Sequence, residues 1–467
     1  MRFISRYLLL FTCILTGFRC PLQAQQPLSL KQAIQIAADN YGRIKAKAAY
    51  AAAADAAVSQ AKRDYLPNFS LSAQQVYGTV NGQNGPSYGF GGLGVSSSGL
   101  PLPDQNWNSA FGALYLGNIN WDVFAFGRAQ ERIKTAEAAA VRDQQDYQQE
   151  LFQHRVKVAA AYLNLLAAQR LTESYRKNLA RADTFRRVTV VRALNGLIAG
   201  VDSSQANAEV SNAHITLVKA QDLEQEQATQ LAVLMGVEPT EFQLDTFFVS
   251  RIPNILGEAV GDSALSQHPE LQWYKSRVDF SDRQAKYLKT LGLPTVSLVG
   301  VLQTRASGFS SNYAQNQRAY TQNYWDGVNP TRTNYLLGLG ITWNITQVSR
   351  VAAQVKAQKL ISKGLQEEYQ LANQQLSTQL HLADVKITNA LENYREAPIQ
   401  VDAAAEAYQQ RSVLYNNGLA NLVDVTQALY ALVRAETDRD IAYNNVWQAF
   451  LLKAAAAGDF GLFMNEL

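Results

Sequence analysis

The chain repeats itself at long range, and this repeat constrains its fold more than any single motif does. Trp121-Asp122-Val123-Phe124-Ala125-Phe126-Gly127-Arg128 returns as Trp343-Asn344-Ile345-Thr346-Gln347-Val348-Ser349-Arg350, 222 positions later. Asn195-Gly196-Leu197-Ile198-Ala199-Gly200-Val201-Asp202 returns as Asn417-Gly418-Leu419-Ala420-Asn421-Leu422-Val423-Asp424 at the same displacement. Gln205 and Ala206 then match Gln427 and Ala428, and Gly236 matches Gly458. Upstream, Leu66-Pro67-Asn68-Phe69-Ser70-Leu71 matches Leu293-Pro294-Thr295-Val296-Ser297-Leu298 at a displacement of 227, the difference falling in variable loops. Two halves, 25–240 and 241–467, therefore share one plan.

Each half reads as helix, strand, loop, strand, very long helix, tight turn, helix. Arg128 to Leu194 contains no Pro, and Arg350 to Asn416 is expected to match it as an unbroken rod. At 1.5 Å per residue such a rod is roughly 100 Å long, far beyond an ordinary globular helix. Val156, Ala159, Ala160, Leu163, Ala167 and Leu171 recur at spacings of three and four, the stripe of a packed or coiled helix. An ordinary coiled-coil protein would carry the same stripe. Asn195-Gly196 and Asn417-Gly418 end the rods, since Gly supplies the positive φ of a helix stop. Hairpin tips are expected at about 195–202 and 417–424, with Asp202 and Asp424 opening the return helices, where unsatisfied backbone N–H groups favour a carboxylate.

Four short segments follow a different period. Strands are expected at about 69–80, 109–122, 295–304 and 334–344. Ala113, Tyr115, Gly117, Ile119 and Trp121 alternate with Leu114, Leu116, Asn118 and Asn120; Tyr335, Leu337, Leu339, Ile341 and Trp343 alternate with Leu336, Gly338, Gly340 and Thr342. Period two with one apolar, aromatic-ended face over about 10 residues suits a tilted strand of a membrane barrel. The loops Asn81 to Asn106 and Arg305 to Thr333 are rich in Gly, Ser, Asn, Gln and Tyr, the composition of exposed turns.

The first residues read as a secretory leader ending near Ala24: Arg2 and Arg6, an apolar stretch from Tyr7 to Phe18, then Leu22-Gln23-Ala24. Both cysteines, Cys13 and Cys20, fall inside it, and Phe18-Arg19 is a poor match to the small residues that precede a lipid-attachment cysteine. Cleavage removes three of the 42 Lys and Arg and leaves 39 against 39 acids, a net charge of zero that argues against nucleic acid as a partner. No later run of about 18 apolar residues suggests a helical anchor. His154, His214, His268 and His381 share no ligand spacing, and the chain has no phosphate-binding Gly loop, nucleophile elbow or zinc signature. No catalytic, cofactor or metal site is expected.

In its duplicated layout, its Leu-Pro pairs before the first strand of each half, its Trp121 to Arg128 segment and its Gly-x-x-x-x-x-Asp tips, the mature chain resembles the TolC-like outer-membrane efflux family. The resemblance implies a mainly α protein with a membrane β-barrel. Three copies would give four strands each to a 12-stranded barrel and two long hairpins each to an α-helical periplasmic tunnel. It further implies an outer-membrane export channel whose partners are a periplasmic adaptor, an inner-membrane pump and the lipid of the outer membrane. Asp202 and Asp424, with Gln205 and Gln427 nearby, would ring the pore entrance, and Tyr415 would partner Asp424; as an alternative both aspartates serve only as caps. Ala420 and Gln427 depart from the Arg and Asp that some members carry. Gly196, Leu197, Gly418 and Leu419 would meet the adaptor, or serve the turn alone. Trp121 and Trp343 would lie at the membrane interface, or pack where strand meets helix. A periplasmic coiled-coil adaptor or scaffold is the rival reading, but it predicts one hairpin flanked by compact β domains. A secreted helical enzyme needs convergent polar groups that this sequence lacks.

Overall fold

The computed structural model describes residues 27–82, 99–239, 241–245, 247–253 and 265–466. The expected leader at 1–24, with both cysteines, lies outside them. The first half runs α1 (Leu30–Asn40), α2 (Gly42–Arg63), β1 (Asn68–Thr79), β2 (Ser109–Phe124), α3 (Arg128–Leu194) and α4 (Gly200–Met235). A short α5 (Phe247–Ser250) follows; the second half runs α6 (Pro269–Thr290), β3 (Thr295–Ser307), α7 (Tyr324–Val328), β4 (Arg332–Thr342), α8 (Gln347–Asn416), α9 (Leu422–Ala457) and α10 (Phe460–Met464). None of the described helices is long and apolar enough to cross a membrane.

The second rod is unbroken like the first but differs from it in one respect. Pro398 sits inside α8, which nevertheless runs 70 residues without a break. Proline lacks the N–H that would bond one turn back, at Tyr394, so a single ladder bond is lost. A helix of this length, stabilised largely by the packing of its faces, survives that loss.

The described residues fall into two compact units that interleave along the chain and do not coincide with the two halves. One draws on Met1–Ala51, Asp143–Lys275 and Glu367–Leu467; the other on Ala52–Arg142 and Ser276–Gln366. In the first unit, α1 is opened by a capping box, with the Gln32 N–H donating to Ser29 Oγ and the Ser29 N–H to Gln32 Oε1. Its buried face of Leu30, Ala33, Ile34 and Ala37 joins a core that includes Tyr162, Leu163, Leu231, Trp447 and Phe463. The two polar aromatics of that core find main-chain partners: the Tyr162 hydroxyl donates to Leu28 O at 2.7 Å and the Trp447 Nε1–H to Arg251 O at 3.0 Å. Burial pushes the Tyr162 phenol up to about 12.

The second unit holds one antiparallel sheet in the order β1-β2-β3-β4. Its register aligns Leu71, Gly117, Leu302 and Tyr335 in one row and Phe69, Ile119, Gly300 and Leu337 in the next, so the odd positions of β1, β2 and β4 meet the even positions of β3 on one apolar face. The other face carries Ser70, Asn118, Gln303, Asn334, Arg305 and Arg332. On the apolar face the outer strands are open to solvent, with Leu71 75% and Leu337 77% exposed.

The repeat is kept at the level of single bonds. Asn68 pairs with Asn120 as Thr295 pairs with Thr342. The Trp121 Nε1–H donates to Tyr65 O at 2.9 Å, and the Trp343 Nε1–H to Gly292 O at 3.1 Å, so each indole ties the end of a strand to the turn before its hairpin partner.

Candidate functional site at the hairpin tips

Each long helix ends in the same three bonds. At the first tip Asn195 N donates to Val191 O, Gly196 N to Ala193 O and Leu197 N to Arg192 O; at the second Asn417 N donates to Val413 O, Gly418 N to Tyr415 O and Leu419 N to Leu414 O. Gly196 (φ 73°) and Gly418 (φ 74°) are left-handed, and a Cβ on either would meet nothing within 4 Å. Glycine is therefore demanded by backbone conformation and not by crowding. Leu197 and Leu419 beside them are exposed.

The return helices start differently. Ala199 precedes α4 and offers no side-chain cap, whereas Asn421 Oδ1 accepts the Asp424 N–H at 2.9 Å at the head of α9. Asp202 and Asp424 both sit in first turns, where backbone N–H groups favour a carboxylate. Asp424 also faces Arg411, with Nη1 and Oδ2 3.7 Å apart. Among the described residues the Asp202 side chain has no partner. Gln205 is half-buried and Gln427 exposed.

Tyr415 does not reach Asp424. It is 3% exposed, packed with Leu422 and Val425 against Phe185, Tyr408 and Ala420, and its hydroxyl has no partner. Phe185 lies with its ring centroid 5.4 Å away, and the Arg192 guanidinium sits 5.3 Å over the Tyr415 ring while Nη1 donates to Tyr415 O at 3.2 Å. Arg411 and Arg192 were missed in the sequence. Arg411 lies 13 residues before its aspartate, on the opposing helix of the hairpin, and Arg192 belongs to the other hairpin. Farther from the tips, Arg181 holds Glu436 through two hydrogen bonds, and the Tyr430 hydroxyl donates to Glu209. Burial and then the Glu209 carboxylate push the Tyr430 phenol up.

Nothing in this arrangement gathers reactive groups. Among the described residues no cluster of His, Cys, Asp or Glu is placed to hold a metal. His154 meets Leu234 O at 2.9 Å and stacks on Tyr41; His268 meets Ala455 O at 3.1 Å and accepts the Glu270 N–H. Burial lowers both histidines below their ordinary range.

The profile of the family described as outer membrane efflux protein matches residues 33–237 and 260–450, covering most of both halves. The chain belongs to that family. As an outer membrane efflux protein it is a channel of the outer membrane, and the family is one of channels and not enzymes. Solved structures share its fold. The outer-membrane channel OprN is 18% identical, with a TM-score of 0.73 over 93% of this chain and 90% of its own. The outer membrane protein VceC from Vibrio cholerae is 16% identical, with 0.72 over 92% and 96%. The CmeC outer membrane channel of Campylobacter jejuni is 16% identical, with 0.74 over 92% and 85%. No curated protein matches the chain.

Proposed function

We propose that three copies of this efflux channel assemble into an export duct, with an adaptor docked at the exposed tips Gly196, Leu197, Gly418 and Leu419 and a pump supplying cargo from the inner membrane. The open sheet carries this reading. Among the described residues both its edge strands lack a second neighbour, and its apolar face is exposed. Open edges are not tolerated in lipid, and four strands do not close a barrel. Three copies give twelve strands, with the apolar face toward lipid and the polar face of Asn118, Gln303 and Arg305 toward the lumen. The helices then belong to a periplasmic tunnel, and Trp121 and Trp343 to the barrel's periplasmic rim.

In this duct Asp202 and Asp424, three copies of each, ring the entrance and favour cations, with Gln205 and Gln427 one turn further in. Planar-bilayer conductance of the purified protein, wild type beside the Asp202→Ala/Asp424→Ala double variant, tests both parts. A small, cation-preferring conductance that rises in the variant supports the duct and its acidic entrance. An unchanged conductance leaves the duct and reduces the aspartates to helix caps. No conductance from either protein sinks the duct.

A further inference from the structure

We propose, resting on that trimer reading, that Arg350 and the β4 edge of one copy dock onto the α2–β1 entry of the next, in a register set by the internal repeat. Inside the chain the two halves meet where β2 pairs with β3. There Trp121 lies opposite Leu298, Ile119 opposite Gly300 and Tyr115 opposite Thr304. Just past β2, Arg128 Nη2 donates to Leu293 O at 3.0 Å and to Thr290 O at 3.5 Å, capping the turn that ends α6. The exit of the first half thus carries a cation seated on the entry of the second.

The other exit and the other entry stay empty-handed. Arg350 stands where the second half repeats Arg128, yet it is exposed and has no hydrogen bond or ion pair among the described residues. The turn it would cap exists: Leu66 N donates to Arg63 O at 2.9 Å, as Leu293 N donates to Thr290 O at 3.1 Å. Residues 62–70 are all exposed, while Thr290 and Thr295 at the occupied entry are buried. Arg63 O and Leu66 O therefore form the acceptor pair matched to Arg350, presented where only a second copy can use it.

The repeat also sets which residues face each other. Strands that exit a half are displaced by 222 positions and strands that enter one by 227, and the structure keeps both displacements in its two hairpin registers and its two tryptophan bonds. Carried from the β2–β3 junction to the open edges, they place Trp343 opposite the partner's Leu71, Ile341 opposite the partner's Ala73 and Leu337 opposite the partner's Tyr77. An independent argument agrees: all of these residues lie on the apolar face, and a slip by one would set apolar side chains against Ser72, Gln74 and Gly78 on the other face.

Cysteine pairs test the register, because the natural cysteines are confined to positions 13 and 20. Leu337→Cys combined with Tyr77→Cys is expected to oxidise to a covalent trimer, at least about tenfold more than Leu337→Cys with Gln75→Cys or with Thr79→Cys, both on the same face but two residues out of step. Arg350→Ala is expected to lower the temperature at which the trimer dissociates in detergent, and Arg350→Lys to restore part of the loss, since lysine donates without the planar fork. A trimer that forms but cross-links through the out-of-step pairs overturns the register and leaves the trimer standing. An on-register trimer whose dissociation ignores Arg350→Ala overturns the docking of Arg350. A monomer by detergent-corrected mass removes the trimer reading itself.

Discussion

At the first hairpin tip Thr189, Ala193 and Ala199 occupy the places that Arg411, Tyr415 and Asn421 hold at the second. The turns between them are the same, down to their three main-chain bonds and a left-handed glycine. The side chains around those turns do different things. Thr189 is fully buried and donates to Phe185 O within its own helix, so Asp202 receives no cation from that position. Arg411 instead reaches out to Asp424, Tyr415 fills the space beneath Phe185 and Arg192, and Asn421 caps α9. The backbone geometry of the helix stop recurs at both tips; the side-chain contacts around it have diverged between the halves.

The largest effect that would sharpen this contrast comes from Tyr415→Ala. Removing a fully buried ring should cost about 3 kcal/mol or more and open the second tip to protease, whereas Ala193→Gly at the first should cost about 1 kcal/mol or less. Equal cleavage rates at the two tips would mean that the second is no better packed than the first.

A second contrast lies at the other end of the hairpins, where Tyr41 of the first half matches His268 of the second at the entry displacement. Burial lowers the His268 pKa from 6.5, outweighing the hydrogen bond to Ala455 that raises it. The folded chain then keeps this ring neutral at a pH where the unfolded chain takes up a proton. Its contribution is complete above about pH 6.5 and is lost as the pH falls below that value, at up to about 1.4 kcal/mol per pH unit. Urea midpoints at pH 7.5 and 5.5 should differ less in His268→Gln than in wild type; an unchanged difference would place the acid sensitivity elsewhere.

Smaller effects separate the caps. Asn421→Ala should cost about 1 kcal/mol, and Ala199→Asn should add a similar amount to the first tip, read as amide exchange in the first turns of α9 and α4. Arg411→Ala comes last. Both side chains of its ion pair reach water, so the change should stay below about 1 kcal/mol and vanish at 1 M salt. A large, salt-independent loss would show that Arg411 acts through packing.

The fold class was legible because its signals are local: period two in the strands, long rods almost free of Gly and Pro, and a positive φ that only glycine supplies freely. The two hairpins of the sheet follow from the strand-loop-strand plan of each half, whereas the β2–β3 pairing that joins the halves does not. The side-chain contacts at the tips were not legible, since they join residues on different helices. The family resemblance pairs Tyr415 with Asp424, yet its ring turns to Phe185 on another helix, and its own hydroxyl is left without a partner. The arginine sought at position 420 is supplied from 411, while Ala420 packs against the Tyr415 cluster. Pro398 shows the limit of a local rule, because a strong helix breaker is overruled once the helix is held by its neighbours.

Leu30 at the head of α1 and Phe463 in α10 belong to one hydrophobic core. Between them the chain leaves that unit and returns twice. The core that the earliest helix joins therefore stays incomplete until more than four hundred further residues have emerged. Contacts this distant in sequence form slowly, and a waiting apolar face is a target for holding chaperones and for aggregation. A ribosome that stalls before Trp447 would release a chain whose long helices can form but whose core has no closing piece.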